Sequence, residues 1–476
     1  MFRGELVMLS YRSATLVLCV AFLLVLIQPN HHAHATEIDV DYSFRNLGSG
    51  WFEPDFEEGT VLAILTSTRP ITLLEPDDSF IQLGTQRYTR LFHWYETDTL
   101  SVVFVDDLGE EITLHLFPQS GYPFDPCNHT VPVINITTEP ENLWAPEDGI
   151  YVWGENMNWN HRGDDWERPA HFQYWDTDGS LLVSRPIGLR INGGYSRSYQ
   201  QKSFRLYFDN NDDDESVVFP FFDQNEDEFA RLIARSGMYP HQLICDTWAC
   251  SLFADLGHDI SRIKFTTLFL NGEYWGAYNL RERLDDEWLE VTRGIDKDHF
   301  ILIKDGEAQN GDAQVWWDFL DWASSDQDFT AHLFFQDVSQ KLDLASYIDW
   351  LIINIFVSPS DNGYEHNLVL MKTFDDPWKY VMWDQDDIFQ EENAEANFFR
   401  FFSADNEADF LTWRPVLFGT QNFSEVEPFF LLFNHLMQNA EFRTRFSARF
   451  DELMAGIMSH RNLIERLSGI AEQQLP

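Results

Sequence analysis

The stretch from Asp361 to Asp387 constrains this chain most. It runs from Asp361 through five residues to Asn367, then an apolar segment ending at Phe374, and the turn residues Asp375, Asp376 and Pro377. A second apolar run, WKYVMW, leads into Asp384, Gln385, Asp386 and Asp387. Two extended runs around such a turn predict a hairpin, and a hairpin brings its open ends together. Asn367 at the entry and Asp384 at the exit are therefore expected to be neighbours, with Asp361 one short loop upstream. An amide oxygen and carboxylates meeting at one point are hard ligands for Mg²⁺, with a further carboxylate left to handle a proton. Singly, each residue has a plainer use. Asp361 can cap a turn at Asn362 and Gly363, Asn367 can sit at a strand edge, and Asp384 can be buried against an arginine.

The chain has 476 residues, 44% of them hydrophobic, with 41 Phe and 17 Trp. That supports a large core and two or more domains. The formal charge of −46 is dispersed along the chain. Such a surface repels nucleic acid and anionic membranes, so neither is an expected partner, and any nucleotide site needs a local group of cations. Solubility is the plainer use of the acidity. Residues 1–35 read as a secretory signal. Arg3 and Arg12 precede an apolar run from Ala14 to Ile27, and Ala33, His34 and Ala35 fit a cleavage site before Thr36. The expected location is secreted or extracytoplasmic, at a cell surface or in a periplasm, with no stable membrane insertion after cleavage. A retained anchor is the alternative. Cys127, Cys245 and Cys250 are too few and unevenly placed for a disulfide framework and read as buried apolar residues.

Residues 36–130 read as a small all-β domain, with strands at 61–66, 89–94, 100–104 and 111–117 separated by turn signals. A Gly/Pro-rich linker follows. Beyond it, strand patterns cover 168–175, 180–183, 186–192 and 202–208, and a helix covers 242–256. Residues 264–270 and 275–280 form a hairpin around Asn271 and Gly272, the strongest such signal in the chain. Downstream the pattern turns helical over 315–323, 344–357 and from Pro428 onward. The acidic loop 209–215 lacks the ordered spacing of a calcium loop and reads as a solvated turn. A strand-rich half before a helix-rich half, with the opening hairpin in the latter, is the expected pattern of a two-lobed nucleotide-binding fold.

Lysine is scarce in this chain: there are seven, and Lys202 is the first. It opens the strand KSFRLYF after the loop NGGYSR, and Arg190, Arg197 and Arg205 add cations to the same region. A glycine turn followed by a strand that offers a lysine can cover phosphates with backbone N–H groups and a point charge. Taken alone, the glycines signal only a hairpin. Protein kinases use the same order of parts in the second half, from catalytic Asp to metal-binding Asn, hairpin and metal-binding Asp.

The runs GLRINGGYSRSYQQKSFRLYF, LFLNGEYWGAYNLRERLDDEW, SDNGYEHN and WDQDD, in that order, resemble the spore-coat-protein-H-like (CotH) kinase family. ITTEPENLWAPEDGIYVWG is similar to the entry of that domain in secreted members. The resemblance implies an α+β fold with an atypical bilobal protein-kinase-like domain over 131–476. Its strand-rich lobe would cover about 131–305 and its helix-rich lobe about 306–476. It implies ATP and Mg²⁺ as cofactors and Ser/Thr hydroxyls of a secreted or cell-surface protein as acceptors. Within it, Lys202 resembles the ATP-phosphate lysine, with Arg190 and Glu282 near the nucleotide and Asp246 facing Lys202. Asp361 resembles the catalytic Asp, Asn367 and Asp384 the metal ligands, and Asp386 a second carboxylate ligand. His366 reads as structural. Cys245 stands where relatives commonly carry Arg, and Gln390 where many carry Gly; neither departure removes a proposed ligand. Two alternatives stay open: a non-catalytic surface-binding protein or adhesin on the same scaffold, and a metal-dependent hydrolase using Asp384, Asp386 and Asp387.

Overall fold

The computed structural model describes residues 38–43, 60–67, 70–74, 80–84, 87–93, 100–109, 111–116 and 126. From 129 to 474 it describes all but 155, 210–215, 223–226, 238–239, 363–365, 391–392, 394–396 and 414–422. The leader at 1–35, Cys127 and most of the acidic loop therefore lie outside the described residues. Within 38–116 the strands are β1 (Ile38–Ser43), β2 (Thr60–Ser67), β3 (Ile71–Leu73), β4 (Phe80–Gly84), β5 (Arg87–His93), β6 (Leu100–Asp106) and β7 (Glu111–Leu116). They form two antiparallel sheets, ordered β1-β2-β5-β4 and β3-β6-β7. Alternation in the sequence marks β2, β5, β6 and β7; β3 is three residues long, too short to display a period.

The next strands are β8 (Val133–Thr137), β9 (Arg168–Trp175), β10 (Leu181–Asn192) and β11 (Ser203–Tyr207). After a short ribbon, β12 (Val217–Val218) with β13 (Glu228–Phe229), come β14 (Arg231–Ser236), β15 (Ile263–Leu270) and β16 (Glu273–Glu282). Seven of them close into a barrel ordered β10-β11-β14-β16-β15-β8-β9, in which only β8 and β15 run parallel. The β15–β16 turn has Asn271 at φ 54° and Gly272 at φ 80°, the left-handed pair that a two-residue hairpin requires. Inside the barrel, Phe172, Leu189, Phe204, Leu206, Leu232 and Leu280 pack together. A strand's period of two then turns Arg205, Ile233 and Arg281 outward. Register confirms the shared face: Arg205 opposes Ile233, and Ile233 opposes Arg281.

That outward face meets a second sheet. Its strands are β17 (Phe300–Lys304), β18 (Glu307–Asn310), β19 (Val369–Thr373) and β20 (Lys379–Val381), ordered β18-β17-β19-β20. One face carries Phe300, Leu302, Val369, Met371, Val381 and Trp383, which pack with Ile233 of the barrel and with Trp288. The other carries Ile301, Ile303, Leu370 and Tyr380 into the helical core. That core is built on the helices Pro240–Asp255, Gln314–Ser324 and Leu344–Val357, close to the spans the sequence predicts. The helical pattern expected from Pro428 onward resolves into three helices, Phe423–Gln438, Ala440–Ala455 and His460–Gln474. A division at 305/306 falls within the second sheet, because β17 pairs with β19 across it. Among the described residues no helix is long and apolar enough to cross a membrane.

Candidate active site

The second sheet gathers the polar residues of the site at one edge. Lys304 opposes Val369, which in turn opposes Val381. The chain therefore leaves β17 at Asp305, enters β19 from Asn367 and departs β20 toward Asp384, all at the same end. Asp305, Asn367 and Asp384 each have left-handed backbones, with φ of 53°, 55° and 56°. Non-glycine residues adopt that region at a cost, and it recurs at functional sites. The edge is laced by hydrogen bonds. Leu368 N donates to Asp305 Oδ1 at 3.1 Å, and Asn367 Nδ2 donates to the Asp361 carbonyl at 2.8 Å. Asn362 Nδ2 donates to the Trp383 carbonyl at 3.1 Å. Ser360 N donates to the Asp387 carbonyl at 2.8 Å. The loop carrying Asp361 and Asn367 is thus tied to the exit of β20, as the hairpin argument requires.

Asp361 points its Oδ1 at His366 Nε2, 3.0 Å away. The bond to Asp361, with the charges of Asp361, Asp305 and Asp384, raises the imidazole above its ordinary value against the opposing effect of burial. His366 is therefore in contact with Asp361, which its reading as a structural residue does not anticipate.

Asp384 and Asp386 are held from the barrel. Arg235 on β14 donates one nitrogen to Asp384 Oδ1 and another to Asp386 Oδ2. Burial would raise the Asp384 carboxyl, but Arg235, Arg281 and Lys304 outweigh it and keep the group below its usual range. Asp386 behaves oppositely: burial, and then the charges of Asp384, Asp246 and Asp361, push it up to about 8 despite Arg235. Beneath them Arg281 Nη1 donates to Asp246 Oδ2 at 2.6 Å, with both side chains fully buried. Asp246 Oδ1 accepts from Gln385 N at 2.8 Å. Asp387 is turned elsewhere, its side chain bonded to Gln390 Nε2.

The three residues assigned to the nucleotide are placed differently from expectation. Lys202 Nζ donates to the carbonyls of Arg197 at 2.8 Å and Tyr199 at 2.7 Å, and lies over the rings of Tyr151 and Trp159. Burial, and then Arg197, lower its ammonium to about 7. The structure thus removes Lys202 from the carboxylates, and Asp246 pairs with Arg281 in its stead. The cause is strand parity: Lys202 shares its face with Phe204 and Leu206, which fill the barrel, whereas Arg205 lies on the opposite face. Arg190 is already neutralised, by Glu167 at 2.6 Å and Asp164 at 2.8 Å. Glu282 is buried against Arg262, Nη2 to Oε1 at 2.8 Å, and Trp288 Nε1 at 3.2 Å, so it braces the end of β16. The glycine loop is plugged rather than open: Arg197 is 2% exposed and donates to the carbonyls of Ile191, Trp159 and His161. In Arg205, Arg235, Arg281 and Lys304 the site has cations drawn from four strands. Of these the sequence singles out only Arg205.

No group of three or more His, Cys, Asp or Glu in a metal-holding arrangement occurs among the described residues. Mg²⁺ does not need one, since it takes one or two carboxylates and completes its shell with waters and substrate phosphates. Asn367 satisfies that chemistry: its NH₂ is bound to the Asp361 carbonyl, which orients the amide and leaves Oδ1 as a hard oxygen on the edge shared with Asp384. These two residues are the ones that would hold a metal; Arg235 contacts both Asp384 and Asp386, and Asp386, whose carboxyl is raised where that of Asp384 is lowered, is the poorer ligand.

Residues 189–474 match the family described as CotH kinase protein. No curated protein matches the chain. Among solved structures, the Helicobacter pylori proinflammatory kinase CtkA is similar at 9% identity and a TM-score of 0.24, over 57% of this chain and 88% of that one. The family match alone spans well over half of the 476 residues, and on that basis the protein belongs to the CotH kinase family.

Proposed function

We propose that this protein transfers the terminal phosphoryl group of ATP to Ser/Thr hydroxyls of a secreted or cell-surface protein. The barrel half and the helical half would act as two lobes around the edge of the second sheet. Asp361 accepts a hydrogen bond from the acceptor hydroxyl and receives its proton as the oxygen attacks the γ-phosphorus and the bond to the β–γ bridging oxygen breaks, releasing ADP. His366 fixes the rotamer of Asp361 by holding Oδ1. Asn367 and Asp384 would hold Mg²⁺, which when bound neutralises charge on the phosphates. Catalysis then rests on positioning and electrostatics, and each of these side chains should matter strongly.

The observation that carries this proposal is the 2.8 Å bond from Asn367 Nδ2 to the main-chain carbonyl of Asp361, which ties the backbone that carries the proposed base to the amide proposed as metal ligand. The test is transfer of labelled phosphate from ATP/Mg²⁺ by the purified protein and by Asp361→Ala. The expected loss is at least 100-fold, the range of a positioned acid or base. Equal incorporation by the two proteins would sink the mechanism. One observation favours a non-catalytic scaffold instead: Arg235 engages both Asp384 and Asp386. Failure of the folded wild-type chain to incorporate any label into itself or into basic protein acceptors would favour that alternative.

A further inference from the structure

Most guanidinium groups of the barrel strands near this site are matched by carboxylates. Arg190 meets Glu167 and Asp164, Arg235 meets Asp384 and Asp386, and Arg281 meets Asp246. Arg197 and Lys202 lack a carboxylate but are satisfied by main-chain carbonyls; on the face toward the second sheet, two more cations have no carboxylate in contact. Arg205 donates Nε to Asn192 Oδ1 at 2.8 Å, and no carboxylate pairs with it among the described residues. Lys304 Nζ lies 4.0 Å above the centre of the Trp383 ring and has no hydrogen-bond acceptor or ion pair among the described residues. The two face the same place. Arg205 opposes Ile233, which packs in the apolar cluster that includes Trp383, and Trp383 carries Lys304. Lys304 also immediately precedes Asp305 on the edge that presents Asn367 and Asp384. Burial, and then Arg283, lower Arg205; burial lowers Lys304 against the opposing charges of Asp384 and Asp305, and Arg205 adds to that lowering.

Charge removed from water without a partner is costly, and in a chain with a net charge of −46 carboxylates to pair with are plentiful. Two neighbouring cations with no carboxylate in direct contact form a receptor for an anion, even though Asp384 and Asp305 lie close enough to act on Lys304 at longer range. Its ligand must be multiply charged, because it answers a cation from β11 of the barrel and one from β17 of the second sheet at once. It must also be compatible with metal oxygens next to it. A polyphosphate chain meets both conditions, and Arg is suited to grip it with a planar fork while Lys adds a point charge.

We infer that Arg205 and Lys304 form the polyphosphate-binding pair of this protein, joining barrel and second sheet through the ligand, while Lys202 takes no part in binding. This rests on the kinase proposal only for the identity of the ligand as a nucleotide. Free polyphosphate has the same chemistry, and the experiment separates the two.

The test is calorimetric titration of the full chain with tripolyphosphate, ATP and adenosine, with EDTA present. Wild type is expected to bind tripolyphosphate and ATP, more weakly as salt rises, and adenosine far less. Arg205→Gln and Lys304→Gln should each weaken tripolyphosphate binding about 10-fold or more, as expected for losing a charge-assisted contact. Lys202→Met, compared per folded molecule, should bind as wild type does. Tripolyphosphate much weaker than ATP would identify the nucleotide as the ligand; equal affinity would identify the phosphate chain as the whole determinant. Both outcomes support the pair if the two Gln variants lose binding. Should those variants not fold, acylation footprinting of wild type serves: tripolyphosphate should protect Lys304 and leave Lys264 and Lys379 reactive. Unchanged binding by the folded Gln variants, no binding by wild type, or no protection of Lys304 overturns the pair. Failure of the kinase proposal looks different, as tripolyphosphate binding through this pair without Asp361-dependent transfer. The converse, Asp361-dependent transfer with an unchanged KM for ATP in both Gln variants, removes the pair and leaves the kinase.

Discussion

Lys202 and Arg205 stand three residues apart on one short segment, yet they serve opposite sides of the barrel wall. Lys202 is 1% exposed and bonded to two carbonyls, and its amine is lowered from 10.5 to about 7. The sign of the resulting pH effect follows. Between about pH 7 and 10.5 the unfolded chain holds a proton on this amine that the folded chain does not, so stability rises with pH in that window. The slope is about 1.4 kcal/mol per pH unit. Lys202→Met removes it. Denaturant unfolding of both proteins at two pH values roughly two units apart within the window should therefore show the gap between them shifting toward wild type by roughly 2–3 kcal/mol. A gap that does not move with pH would mean the amine is not buried as described. The parity that decides this was legible in the sequence, since Phe204, Leu206 and Phe208 alternate with Ser203, Arg205 and Tyr207. Which of those faces the barrel interior was not, because the interior exists only once β8 closes against β15.

At the scale of elements, the hairpin from Val369 to Val381 was readable from its turn residues, and with it the proximity of Asn367 and Asp384. The cations were not. Arg235 and Arg281 come from strands that sequence spacing does not relate, and only the β14–β16 register puts them on one face. Asp305 is likewise placed by the pairing of β17 with β19, across 63 residues of chain. The hairpin's exit makes its own prediction. Asp384 has φ 56°, which Gly adopts freely and Ala does not. Both Asp384→Gly and Asp384→Ala lose the same Arg235 contact, so their difference isolates the backbone. Asp384→Gly should be more stable than Asp384→Ala by about 1 kcal/mol, offset in part by the greater entropy of the Gly chain. Chemical denaturation of the two variants decides it, and an Ala variant equal to or more stable than the Gly variant would refute a left-handed backbone at this position.

For the molecule as a whole, one buried contact ties the parts together. Asp246 sits on the helix Pro240–Asp255, Arg281 on β16 of the barrel, and Gln385 at the exit of the second sheet, and Asp246 bonds both partners. The Arg281 guanidinium also lies 4.4 Å from the Trp383 ring centre, over the apolar cluster between barrel and sheet. A pair with no exposure on either side gains Coulomb energy but has lost the hydration of two ions, so its net contribution to stability is small while the damage from losing one partner is large. Asp246→Asn, which leaves Arg281 buried and uncompensated, is expected to destabilise by about 3–5 kcal/mol, and Arg281→Met by a similar amount. The double variant should be less destabilised than the sum of the two by well over 1 kcal/mol, because no charge is then left alone. Thermal and denaturant unfolding of the four proteins completes the cycle. If the two losses simply add, Asp246 and Arg281 are independent, and the junction between helix, barrel and second sheet is held by its apolar cluster alone.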